Sequence, residues 1–85
     1  MAHSIIITPP AKRQLSKLPK DAQLKVSKII DDLSSNPHPP GAKKLKGMDA
    51  WRIRVNDYRV IYEIHDNVAR VLVIKVAHRK EAYKK

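Results

Sequence analysis

Apolar and polar positions recur with two different periods along this chain, and the periods predict its elements. Ser4 to Thr8 (SIIIT) is a β-branched, apolar run and reads as a strand. Thr8-Pro9-Pro10 then reads as an N-cap followed by proline in the first helical turn, where a missing N–H does no harm. Ala11, Leu15 and Leu18 recur at i, i+4 and i+7, which predicts a short amphipathic helix ended by Pro19. A second helix begins around Lys20-Asp21. Its stripe is Ala22, Val26, Ile29, Ile30 and Leu33, and Ser34-Ser35-Asn36-Pro37 stops it. So short a link makes the two helices an antiparallel hairpin, and the stripe needs a sheet face to cover. Asn36 to Gly47 contains Pro37, Pro39, Pro40 and Gly41 and reads as the one long irregular segment, with Leu45 pinning it to the core.

From Trp51 onward the period is two. Trp51 to Tyr62 (WRIRVNDYRVIY) reads as a hairpin turning at Asn56-Asp57, residue types that tolerate positive φ. Counting outward pairs Val55 with Tyr58, Arg54 with Arg59, Ile53 with Val60, Arg52 with Ile61 and Trp51 with Tyr62. Alternation then sets Trp51, Ile53, Val55, Tyr58, Val60 and Tyr62 on one face and Arg52, Arg54 and Arg59 on the other. A second reversal with Asp66-Asn67 as its loop pairs Glu63 with Arg70, Tyr62 with Val71, Val60 with Val73 and Arg59 with Ile74. The expected fold class is α+β: an N-terminal strand, a helical hairpin, then an antiparallel three-stranded meander. These form one sheet with the helices on one face, followed by a short C-terminal helix or tail.

The charge balance changes this picture. The 85 residues, enough for one domain over 1–85, carry 18 Lys and Arg against 8 Asp and Glu, a formal charge of +10. That excess predicts attraction to polyanions and self-repulsion without a partner. Arginines directly opposite each other cost stability, so their convergence on one face argues for an anion site over a merely solvated face. Phosphate is the natural anion for a guanidinium fork. Lys43, Lys44 and Lys46 around Leu45 add point charges for phosphate contact. The arginine face also carries Ile61, Leu72 and Ile74, an apolar strip that either a partner protein or the chain's own C-terminal segment would cap. His78 to Lys85 (HRKEAYKK) spans about two helical turns at most. Within it His78, Arg79 and Tyr83 are the residues of interest. Cysteine is absent, and His3, His38, His65 and His78 lack metal-ligand spacing, so no metal and no cofactor is assigned. Neither a membrane span nor a signal peptide is evident, which makes the cytoplasm the expected compartment.

In their order, LKGM, WRIRV, DYRVIYEI and VLVIKVAHRKEAY resemble the RelE toxins of the RelE/ParE superfamily over nearly the whole chain. The resemblance rests mainly on Leu45-Lys46-Gly47, on Tyr58-Arg59-Val60-Ile61-Tyr62, and on His78-Arg79 with Tyr83. It implies a type II toxin that cleaves mRNA in the ribosomal A site. It further implies a cognate antitoxin that wraps the toxin, caps Ile61, Leu72 and Ile74, and contacts operator DNA so that the toxin meets DNA only indirectly. By position Arg52 and Arg54 match the family's paired basic residues on the second strand. Arg59 matches the arginine of its Tyr-Arg segment, Arg79 the one after the last strand, and Tyr83 its C-terminal tyrosine. The implied reaction is attack of a ribose 2′-OH on the adjacent phosphorus. Many RelE proteins carry lysine where Arg52 and Arg54 stand, and arginine cannot act as a base. His78 is then the expected proton carrier, histidine being the side chain that titrates near neutrality. Two other readings stay open: a ParE-like toxin that binds gyrase, and a basic RNA-binding module that cuts nothing.

Overall fold

The computed structural model describes residues 3–78. Strand β1 (Ser4–Ile7) leads into helix α1 (Pro9–Ser16) and helix α2 (Lys20–Asp32). Four further strands follow: β2 (Lys43–Lys44), β3 (Trp51–Val55), β4 (Tyr58–His65) and β5 (Arg70–His78). They form one five-stranded sheet in the order β1-β5-β4-β3-β2. β1 runs parallel to β5, and the other neighbours are antiparallel. The fold is thus α+β as expected, while the expected C-terminal helix or tail lies outside the described residues. No helix among those residues is long and apolar enough to cross a membrane.

Both helices lie on one face of the sheet because their apolar stripes have nowhere else to go. Ala11, Val26, Ile30 and Leu33 meet Ile53, Val55, Val60, Tyr62, Val71, Val73 and Val76 in one buried cluster. Each fully buried aliphatic side chain there contributes on the order of 1.5–3 kcal/mol. Polar contacts fix α1 against β5. Thr8 stands at the N-cap position of α1, yet its hydroxyl donates to the Val73 carbonyl at 3.0 Å instead of capping the helix. Gln14 Oε1 accepts the Val76 N–H at 2.8 Å, which satisfies a β5 donor beyond the end of β1. On the far side, Tyr62 is fully buried and its hydroxyl donates to the Pro37 carbonyl at 3.0 Å, tying the proline-rich loop to the core.

The β3–β4 register is the expected one in all five pairs, with Asn56 at φ 55 making the turn. The β4–β5 register is not. Asp66–Val68 form a 3-10 turn, and Ala69 takes a left-handed conformation, so His65 pairs with Arg70 and Glu63 with Leu72 instead of Arg70. A β-bulge next to Ile61/Tyr62 shifts the pairing again, setting Tyr62 opposite Val73 but Ile61 opposite Lys75 and Arg59 opposite Ala77. The segment read as irregular contains the two-residue strand β2, a short edge paired to β3. Leu45 is absent from the buried cluster. It sits on the opposite face of the sheet, at the rim of a cavity.

Candidate functional site

The helices cover one face of the sheet, which leaves the other to the side chains that alternate with the core. On β3 the buried Ile53 and Val55 alternate with Arg52 and Arg54; on β4 the buried Val60 and Tyr62 alternate with Arg59 and Ile61. Arg54 and Arg59 are therefore on the same face, as directly opposed partners. Lys43 of β2 stands directly opposite Arg52 in the same way. Two like-charge pairs side by side on one sheet face are costly, and a hairpin built for stability alone would avoid both.

The bulge in β5 adds a further cation. Val71 and Val73 point into the core, and so does Val76, three positions on instead of two. Ile74 and Lys75 consequently both turn to the arginine face. There a cavity of about 450 Å³ is lined by Arg52, Arg59, Lys75, Ile61, Ile74, Ala77, Leu45 and Met48. Its floor is aliphatic and its polar groups are all cationic. Arg59 enters it from a half-buried position with its Nε shielded from solvent. Lys75 was not among the residues that strand alternation brought to this face. The signal was present in the spacing of the apolar positions: a charged residue falling in phase with the core, followed by valine out of phase, marks a bulge.

The other expected residues are distributed around this cavity. Arg54 and Lys43 line a neighbouring cavity of about 390 Å³, and Arg52 borders both. Lys44 lies 4.0 Å from Asp49 in an exposed ion pair, and Lys46 sits on the 45–49 turn. Ile61 and Ile74 line the cavity itself. Leu72 is beside them on the same face, with the exposed Ile6 of β1 as its register partner. His78 is not brought to the site. It pairs with Tyr58 across β4 and β5, touches that ring edge-on at a centroid distance of 5.3 Å, and lines a cavity with Gln14, Lys17 and Leu18 on the helix side. The bulge is the reason, because it inverts the facing of every β5 residue beyond Ile74. Arg79 and Tyr83 lie outside the described residues.

A cavity of this size with two guanidiniums, an ammonium and an apolar floor suits a phosphodiester flanked by a sugar or base. A family model described as the ParE toxin of the type II toxin–antitoxin system parDE matches residues 5–83. Toxin RelE of Mycobacterium tuberculosis is 36% identical over an alignment of 86 positions that covers 96% of this chain and 87% of that protein. Among solved structures, the toxin–antitoxin complex RelBE2 from M. tuberculosis superposes with a TM-score of 0.84 at 29% identity, covering 93% of this chain and 100% of that one. The archaeal RelE–RelB complex from Pyrococcus horikoshii gives 0.84 at 28% identity, covering 93% and 97%.

Proposed function

This chain belongs to the RelE/ParE superfamily of type II toxins, and from that membership we propose that it is a ribosome-dependent mRNA endoribonuclease of the RelE kind. The observation that carries the reading is the cavity on the open sheet face, where Arg52 and Arg59 converge over aliphatic side chains. In the proposed reaction a ribose 2′-oxygen attacks the adjacent phosphorus and the 5′-oxygen leaves, giving a 2′,3′-cyclic phosphate and a 5′-hydroxyl. Negative charge builds on the non-bridging oxygens of the phosphorane. Arg59 and Arg52 bind those oxygens more tightly as the charge grows, which lowers the barrier. Arg54 and Lys43 hold the flanking backbone, with Lys44 and Lys46 as further phosphate contacts toward the ribosome or message. By their match to the family's motif, Arg79 and Tyr83 are further candidates for the reaction, the tyrosine to stack on a base or orient the 2′-hydroxyl.

The same reading supplies partners. The M. tuberculosis relative comes from a toxin–antitoxin complex, and the apolar strip of Ile61, Leu72 and Ile74 beside the cations suits an apolar, acidic segment of a cognate antitoxin. Operator DNA is then met only through that complex. The toxin works in the cytoplasm, on ribosomes with mRNA in the A site.

A ParE-like reading, in which the chain blocks gyrase without cleaving anything, has the description of the matching family model in its favour. Primer extension on mRNA from cells expressing the chain separates the two. Codon-phased ends confined to translated frames are expected. Intact mRNA together with loss of gyrase supercoiling by the purified chain would replace the ribonuclease by the gyrase toxin.

A further inference from the structure

Arg52, Ile61 and Lys75 form one row across β3, β4 and β5, because Arg52 pairs with Ile61 and Ile61 with Lys75. Arg59 and Lys75 are diagonal neighbours, since Arg59 pairs with Ala77, two positions along β5. Diagonal neighbours on one sheet face stand roughly 7–8 Å apart at the backbone, within reach of two long side chains. A phosphodiester resting over Ile61 would therefore lie between Arg52 and Lys75 with Arg59 beside it. Among the described residues lining this cavity, three side chains carry exchangeable protons on charged groups: Arg52, Arg59 and Lys75. As a class, lysine ammonium is a stronger acid than guanidinium by a factor of roughly 100 or more.

We propose that Lys75 is the general acid that protonates the leaving 5′-oxygen, an inference that rests on the ribonuclease reading above. As the bond from the 2′-oxygen to phosphorus forms, the hydroxyl proton passes to solvent. The bond from phosphorus to the 5′-oxygen then breaks with its electron pair on oxygen, which takes a proton from Lys75 Nζ. Solvent returns that proton to the amine. The sum is a transesterification that consumes no water. An unassisted sugar alkoxide is a poor leaving group, and this is the demand that neither guanidinium meets well. The β5 bulge is what delivers the acid, since unbroken alternation would have pointed Lys75 into the core.

The test is single-turnover cleavage of mRNA on programmed ribosomes, using substrates with either oxygen or sulfur as the bridging 5′ atom at the cut. A thiolate leaves without a proton because thiols are far stronger acids than alcohols. Lys75→Met should cut the oxygen substrate about 100-fold or more slowly, yet cut the sulfur substrate at close to the wild-type rate. Lys75→Arg keeps the charge and should remain slow on oxygen. Lys75 is exposed, so each variant should fold, which its melting curve checks. Equal slowing of both substrates would reduce Lys75 to a phosphate contact and overturn the proposal, as would unchanged rates on oxygen. Wild-type protein that cuts neither substrate would refute the ribonuclease reading itself, a result distinct from either.

Discussion

Replacing Arg54 by threonine separates what the basic face costs the fold from what it contributes to binding. Arg54 is exposed and directly opposite Arg59. Two unit charges about 5 Å apart in a water-like medium repel by about 0.8 kcal/mol. Splaying of the guanidinium heads lowers that figure, and screening over a Debye length of about 8 Å roughly halves it at physiological salt. The relief expected is therefore about 0.4 kcal/mol, inside the range of roughly 0.2–1 kcal/mol for cross-strand pairs. For a chain of this size that is a rise of about 2–3 °C in Tm. Threonine also favours strands, which adds a few tenths of a kcal/mol that salt does not touch. Thermal melts at roughly 0.02 M and 0.5 M salt divide the two contributions, because only the electrostatic one shrinks in high salt. The same variant should bind single-stranded RNA more weakly, with a salt slope shallower by up to about one counterion. A variant that melts below wild type at low salt, or whose gain is indifferent to salt, would show that the opposed cations are not in repulsion and that the stability argument for an anion site fails.

Arg59→Ala should slow single-turnover cleavage on ribosomes by about 100-fold or more if the guanidinium stabilises the phosphorane; wild-type rates would leave the face a docking surface. Tyr62→Phe strands the Pro37 carbonyl and should cost about 1–2 kcal/mol in urea denaturation. Burial pushes the Tyr62 phenol up to about 12 from its ordinary 10.0. The unfolded chain then releases that proton first as pH rises, so stability present below the unfolded value falls between these two values, and the phenylalanine variant should lose less over the same interval. Ala69 holds φ 48 and ψ 56 without the freedom of glycine, so Ala69→Gly should raise stability by about 0.5–1 kcal/mol, read from the shift of the urea midpoint.

The parts of this fold that could be read from sequence are those where a local signal and the core pattern coincide. Asn56-Asp57 pinned a two-residue turn, and every pair of β3 and β4 followed, including the shared face of Arg54 and Arg59. The helical stripes worked for the same reason, because Val26, Ile30 and Leu33 had one face to bury. The β4–β5 connection failed because its turn rests on Ala69 at positive φ, a conformation alanine does not advertise. The expected pairing of Glu63 with Arg70 does not form. Glu63 meets His65 on its own strand at 2.9 Å, and Arg70 stands across from His65. β2 was hidden by its length, two residues after a proline-rich run.

The site was half legible for a reason that follows from the sheet itself. Alternation assigns a face to every residue until something breaks the period, and one extra residue inverts all that follow. Up to Val73 the assignments hold, so Arg52, Arg59 and Ile61 meet where alternation puts them. Beyond Ile74 they invert: His78 goes to the helix side beside Tyr58, and Lys75 comes to the cavity. Energetics choose this outcome. Keeping strict alternation would bury the Lys75 ammonium among valines and expose Val76, whereas the bulge costs only some ladder pairing with β4. The desolvation of one buried charge outweighs the loss of a ladder position, so the misplaced lysine is what forces the break. The same break that removed the expected histidine from the site supplied the amine that stands there in its place.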